Sequence, residues 1–254
     1  MSFLNPNWPK PPSVHSLQST RAGGVSKPPF NSLNLGDHVG DQIENVLVNR
    51  AIFTKALPAE PLWLKQTHST IVSTPESRAL KHHALIEADA SVSNIPGDVL
   101  VVMTADCLPV LFANRQGTVV GVAHAGWRGL CSGVLENTIA EMLNLSSKAK
   151  APDLIAWLGP AIGPDAFEVG EDVVSAFRDF GLPFSEGAFK LISNKPGKYL
   201  ADIYELARDR LKACGIQFIY GGEYCTMKDG EQFFSYRRDG ETGRFATAIW
   251  IAKE

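Results

Sequence analysis

His68, Cys107 and His124 share one local context, in the segments "KQTHS", "TADCLPV" and "VAHAGWRG". In each, an apolar strand-like run meets a polar or glycine-bearing turn. Imidazole and thiolate are the side chains that a borderline-soft ion such as zinc prefers. Two imidazoles and one thiolate from three strand ends would leave a fourth tetrahedral position open, as in catalytic metal sites. The spacings match no short metal motif, and an isolated strand-end histidine or buried cysteine is more often structural. The same residues could also work without metal, with Cys107 as nucleophile and His124 or His68 as its base. The residues alone leave both readings open.

Arginines form a second set of candidates. Arg21 precedes Gly23 and Gly24, Arg50 lies in "VLVNR", and Arg128 stands between Trp127 and Gly129. A phosphate or carboxylate calls for a planar donor fork and free backbone N–H groups, which glycine loops supply. Surface salt bridges are the plainer account of any one of them. Gly126 and Gly129 would let a ligand or a neighbouring segment come close to the strand end that carries His124. Asp106 adjoins Cys107, but neighbours on a strand point to opposite faces, so adjacency says little for it as a proton donor.

The elements that must position these residues follow from pattern. "TVVGVAHA" and "DVLVVMTADCLPVLFAN" are β-branched apolar runs of strand length. A helix is expected from about Gln42 to Phe53. Another runs through "GLCSGVLENTIAEMLNL", where Val134, Leu135, Ile139, Met142 and Leu143 form one apolar face. "GEDVVSAFRDFG" and "YLADIYELARDRLKACG" are amphipathic helices capped by Gly181 and Gly215. "FIYGGEYC", "QFFSYRRDG" and "RFATAIWIA" are expected as strands, with "SYRRDGETGR" a hairpin turning at Asp239–Gly240. His82 and His83 are expected in an exposed loop, Cys131 and Cys214 on helix faces in the core. Strands and helices without strict alternation give an α+β class: one domain over 1–254 with a mixed sheet, residues 1–14 forming an irregular arm.

Composition narrows the function classes. A formal charge of −3 over 254 residues, with both signs interspersed, offers no nucleic-acid surface. Apolar runs such as "VLVVM" are too short to cross a bilayer, and the first residues lack a secretory signal, so no membrane role and a cytoplasmic location are expected. The 4 cysteines form no C-x-x-C pair, so reduced thiols are expected. The sequence sets no oligomeric state.

"TRAGGVSKPPFNSLNLGDHVGD", "KQTHS", "TADCLPVLF", "VAHAGWRGL", "GPAIGPDAFEVG" and "FSYRRDGETGRFATAIW" together resemble the YfiH-type laccase-domain family, from about Thr20 to Trp250. The resemblance implies a single α+β domain with mixed sheets packed between helices, likened to cytotoxic-necrotizing-factor-type cysteine hydrolases. It also implies a zinc site on His68, Cys107 and His124, the same three residues that strand-end context nominates. Arg50 would lie near a nucleoside, as a catalytic and substrate-binding residue, with Arg128 and Arg21 further candidates toward phosphate or ribose. The implied activity is purine nucleoside phosphorylase with adenosine deaminase activity, acting on adenosine and inosine, with methylthioadenosine a further candidate.

The family's older name, multicopper polyphenol oxidase, fits the residues poorly: there are 6 histidines and no His-x-His pair. Copper could still enter a His2Cys site, because it outcompetes zinc for most such ligands. Two other classes stand beside the phosphorylase. One is a metal-free cysteine hydrolase or amidase editing a peptidoglycan precursor; the other is a binding protein that only sequesters nucleoside or metal.

Overall fold

Strand period decides the architecture. Val99–Thr104 is buried along its whole length, and its alternate side chains serve two different cores. Leu100 and Val102 point one way, into a cluster with Leu111, Val122 and Trp157; Val99, Val101 and Met103 point the other, onto Leu33, Leu35 and Phe53. The computed structural model, which describes residues 3–80, 85–146 and 149–253, is thus built in layers. His82 and His83 lie outside the described residues.

A five-stranded sheet runs in the order Phe3–Leu4, Val14–Ser19, Phe245–Ile251, Val99–Thr104 and Pro61–Leu62. A six-stranded sheet runs Phe218–Gly221, Leu154–Leu158, Leu108–Asn114, Val120–Ala125, Ala90–Ser93 and Val72–Ser73. Both mix parallel and antiparallel pairs. The two sheets face each other across the Leu100–Trp157 core. Helix Ile43–Thr54 closes the outer face of the first through Phe53. Helices Trp127–Ser132, Val134–Asn144, Glu171–Phe180 and Ile203–Ala213 cover the second. Each Val or Leu fully buried here is worth about 1.5–3 kcal/mol, which makes this sandwich the rigid frame of the molecule. The α+β class with mixed sheets between helices is the one expected.

Local departures have local causes. The single helix expected through residues 129–145 is two, Trp127–Ser132 and Val134–Asn144, because Gly133 adopts φ 101° and turns the chain between them. The expected hairpin at 235–244 is instead a one-turn helix, Tyr236–Asp239, entered from coil and not from a strand. Ser235 caps it by accepting from the Arg238 N–H, and the Asp106 carboxylate accepts from the Arg237 N–H at 2.6 Å. A distant carboxylate and a serine cap outweigh the turn signal of Asp239–Gly240. The first residues carry a short strand, Phe3–Leu4, on Val14–Ser19, and Trp8 is buried.

Candidate metal centre and substrate cavity

Sheet register brings two of the three candidates together. In the pairing of Leu108–Asn114 with Val120–Ala125, His124 lies opposite Pro109 and Ala125 opposite Leu108, so Cys107 emerges beside His124. On its other side His124 faces Asp89, whose carbonyl accepts its N–H at 2.7 Å. His68 arrives from a loop and is tied to the same place by the Asp89 side chain. That carboxylate, fully buried, accepts from the N–H groups of Thr67 (3.1 Å), His68 (3.0 Å) and Ser69 (2.6 Å), from the Ser69 hydroxyl (2.7 Å), and from His124 Nδ1 (2.8 Å). Gln66 fixes the loop from the opposite direction, exchanging two 2.8 Å hydrogen bonds with the backbone of Met103 as though it were a strand partner.

Among the described residues, two hold left-handed backbone without being glycine: His68 at φ 60° and Asp106 at φ 90°. Each costs on the order of 1–2 kcal/mol. Asp89 compensates the first. The second is held by Asp106 itself, whose carboxylate oxygens are taken by the Thr226 hydroxyl and the Arg237 N–H, both at 2.6 Å, while its carbonyl accepts from Ile162. Asp106 therefore shapes the turn that presents Cys107, each of its carboxylate oxygens accepting one hydrogen bond in doing so.

The outcome is a cluster in which the ligand atoms of His68, Cys107 and His124 all lie within 4.8 Å of one another, Cys107 Sγ and His68 Nε2 at 3.7 Å. Ligands bonded at about 2.0–2.3 Å to one tetrahedral ion sit roughly 3.3–3.6 Å apart, so small side-chain shifts admit a metal. Asp89 on Nδ1 leaves Nε2 of His124 as its ligand atom, the carboxylate–histidine pairing typical of metal sites. Among the described residues no other group of three His, Cys, Asp or Glu side chains could hold a metal. Packing is close: a Cβ on Gly126 would come within 2.6 Å of His68 Cδ2 and 3.1 Å of Cys107 Sγ.

Electrostatics favour the ligating form of the thiol. Burial pushes the Cys107 thiol up, but the charge and hydrogen bonds of His124 and His68 outweigh it and bring it down to about 6. Burial likewise opposes charge on His124, yet Cys107 and Asp89 raise it to about 9. Without metal, then, the pair is a thiolate beside an imidazolium. Asp89 is pulled down to about 2 against its burial, chiefly by His124 and Ser69.

The cluster forms one wall of a cavity of about 540 Å³, within the range of small-molecule sites, lined also by His38, Gln66, Trp127, Arg128, Tyr236 and Arg244. A smaller apolar recess of about 130 Å³, with Ile162, Phe167 and Ile203, adjoins it through Cys107 and Trp127. Of the expected arginines, only Arg128 lines the larger cavity, its guanidinium 4.3 Å over the Trp127 ring. Arg50, well inside helix Ile43–Thr54, bonds the Leu35 carbonyl and Asp37 and stacks on Trp63 at 4.2 Å. Arg21 bonds the Asn31 and Gly230 carbonyls and lies over Phe234. Neither lines the cavity. Arg244, which does, was not singled out from the sequence; nor was Asp89, which precedes the short segment "ASVS" with no strong local signal.

Residues 15–252 match the family model described as multi-copper polyphenol oxidoreductase laccase. A protein of Escherichia coli (strain K12) named purine nucleoside phosphorylase YfiH is 52% identical over 254 aligned residues, covering 98% of each chain. A Haemophilus influenzae protein named purine nucleoside phosphorylase is 49% identical, covering 99% of this chain and 100% of its own. The crystal structure of Neisseria meningitidis protein NMB0706 superposes with a TM-score of 0.91 at 49% identity, covering 100% of both chains. With its sequence matched almost end to end and its fold shared, this chain belongs to the YfiH-type laccase-domain family.

Proposed function

We propose that this chain is a purine nucleoside phosphorylase that also deaminates adenosine, with a zinc ion held by His68, Cys107 and His124. The observation that carries the reading is the meeting of that donor set with Arg128 and Arg244 around one cavity of nucleoside size, in a chain about half identical to relatives bearing the phosphorylase name. Zinc bound there would supply Lewis-acid chemistry on that wall.

Phosphorolysis joins a phosphate oxygen to the ribose C1′ as the C1′–N9 bond breaks and its electrons pass to the purine, which takes up a proton. The anionic nucleophile needs fixed positive charge. Arg244 is half-buried and anchored through Nη1 to the carbonyls of Thr242 and Gly243, which aims its guanidinium without neutralising it. Arg128 stands on the same cavity, steadied on Trp127. Trp127 and Tyr236 offer aromatic surface for the base. Deamination exchanges the C6 amine for an oxygen from water and releases ammonia, so the purine must turn C6 toward the ligand wall.

The test is direct: purified zinc-loaded protein with inosine and phosphate should yield hypoxanthine and ribose 1-phosphate, and with adenosine alone should yield inosine. Failure of both reactions overturns the reading. One observation favours a second reading. Asp89, His124 and Cys107 stand in line as orienting acid, base and depressed-pKa thiol, the arrangement of a cysteine hydrolase. Stoichiometric alkylation of Cys107 with loss of amidase activity, in protein carrying no metal, would support that reading instead. A copper-loaded form with polyphenol oxidase activity is a further alternative, and loading with each metal separately decides it.

A further inference from the structure

Arg50 does not line the cavity, yet its contacts lead to a residue that does. Its Nη2 lies 3.1 Å from Asp37 Oδ2, and Asp37 Oδ1 lies 3.3 Å from His38 Nδ1. His38 is on the cavity lining with His68, Cys107, His124 and Arg244. An imidazole whose Nδ1–H faces a carboxylate has its tautomer fixed, leaving Nε2 as an acceptor. Among the described residues Nε2 of His38 has no hydrogen-bond partner, and the side chain is 57% exposed.

The segment that carries His38 is braced at both ends. Asn34 accepts the N–H groups of Gly36 and Arg244 and donates to the Gly36 carbonyl and to Asp41; Asp41 in turn accepts from Ser26. Gly36 packs so closely on Arg244 that a Cβ would sit 2.8 Å from its Cγ. Arg50 is itself fixed by the Leu35 carbonyl and the Trp63 face. Burial would raise the Asp37 carboxyl, but Arg50 and His38 together keep it below the usual range, ionised to hold the imidazole.

We infer that His38 is a substrate-binding residue whose Nε2 accepts a hydrogen bond from a ribose hydroxyl of the nucleoside, and that Asp37 and Arg50 are positioning residues acting through it. A sugar hydroxyl is the ligand group that suits it: a ring nitrogen whose partner nitrogen donates to Asp37 accepts from O–H, whereas phosphate offers acceptors and is drawn to the arginines. The inference rests on the nucleoside reading above and gives it a sugar subsite on the cavity that the metal ligands also line.

The experiment compares kcat/KM for inosine, 2′-deoxyinosine and 3′-deoxyinosine in wild type, His38→Ala, His38→Gln and Asp37→Ala. Loss of one neutral hydrogen bond should cost His38→Ala about 3- to 10-fold with inosine, and less than about 2-fold with the deoxynucleoside lacking the hydroxyl it engages. His38→Gln, which keeps an acceptor, should recover part of the loss, and Asp37→Ala should show the same dependence on the sugar. Equal losses with all three nucleosides, or none with inosine, overturn the inference. Calorimetric binding of the same nucleosides gives the comparison without turnover. Wild-type binding with no phosphorolysis would refute the phosphorylase reading alone, and equal effects of His38→Ala on all three affinities would refute the sugar contact alone.

Discussion

Asp89→Asn strikes the residue on which the account places most weight. The substitution keeps shape and removes one acceptor. If the amide nitrogen replaces Oδ2, it meets the fixed N–H groups of Thr67 and Ser69; if it replaces Oδ1, it meets the His68 N–H and His124 Nδ1. The second placement is the cheaper, because His124 can give up its Nδ1 proton, keep Nε2–H and accept from the amide. It still forfeits a hydrogen bond to a charged acceptor, about 1.5–3 kcal/mol, and strands a buried donor. The depression of Asp89 from 3.8 to about 2 gives an independent figure of about 2 kcal/mol. A loss of about 3 kcal/mol should lower Tm by about 6–12 °C in a chain of this size. The sign with pH follows: a depressed carboxyl stabilises above its unfolded value of 3.8, and that stability is lost as pH falls through about 2. Wild type and variant should therefore converge in acid. A His124 whose remaining proton is on Nε2 has its ligand atom blocked, so zinc affinity should fall about 10- to 100-fold. Thermal melts from pH 7 to pH 2 and zinc competition with a chelator measure both effects. An Asp89→Asn protein that melts within about 2 °C of wild type at pH 7 and holds zinc equally well would refute the reasoning.

Three further outcomes are expected. In metal-free protein the alkylation rate of Cys107, followed by mass mapping, should be half-maximal near pH 6 and flat above about pH 7, since a depressed thiol loses its thiolate only as pH falls through that value; His124→Asn should move the midpoint toward 8.5. Gly126→Ala has an ordinary backbone to occupy, φ −62°, so its cost falls on His68 and Cys107: the fold should persist with about 1–3 kcal/mol lost and zinc affinity reduced, as calorimetry and metal analysis would record. Arg244→Ala should raise KM for phosphate at least 10-fold while leaving zinc content unchanged; an unaltered phosphate KM would remove Arg244 from the anion site.

What the sequence discloses and what it withholds divide along physical lines. Strand runs such as Val99–Thr104 and Val120–Ala125 are legible because burial on both faces demands continuous apolar residues. His68, Cys107 and His124 stand out because each interrupts such a run with a ligating side chain, a local anomaly. Asp89 is harder to see. Its importance lies in five donors from residues that come near it only once the strands have paired. The helix at Tyr236–Asp239 is illegible for the same reason: Asp106, remote in sequence, takes the Arg237 N–H and overrides a turn signal. Arg50 shows the limit from another side. Its place in a helix is plain from pattern, but pattern does not reveal that Asp37 takes its guanidinium and that His38, not Arg50, reaches the cavity.

X-ray diffraction of the zinc-loaded protein at the zinc absorption edge tests the central claim most directly. The account predicts one strong anomalous peak per chain, bonded to His68, Cys107 Sγ and His124 Nε2, with Asp89 retained on His124 Nδ1. Zinc bound elsewhere, or those three side chains left without a shared ion at saturating metal, would contradict it.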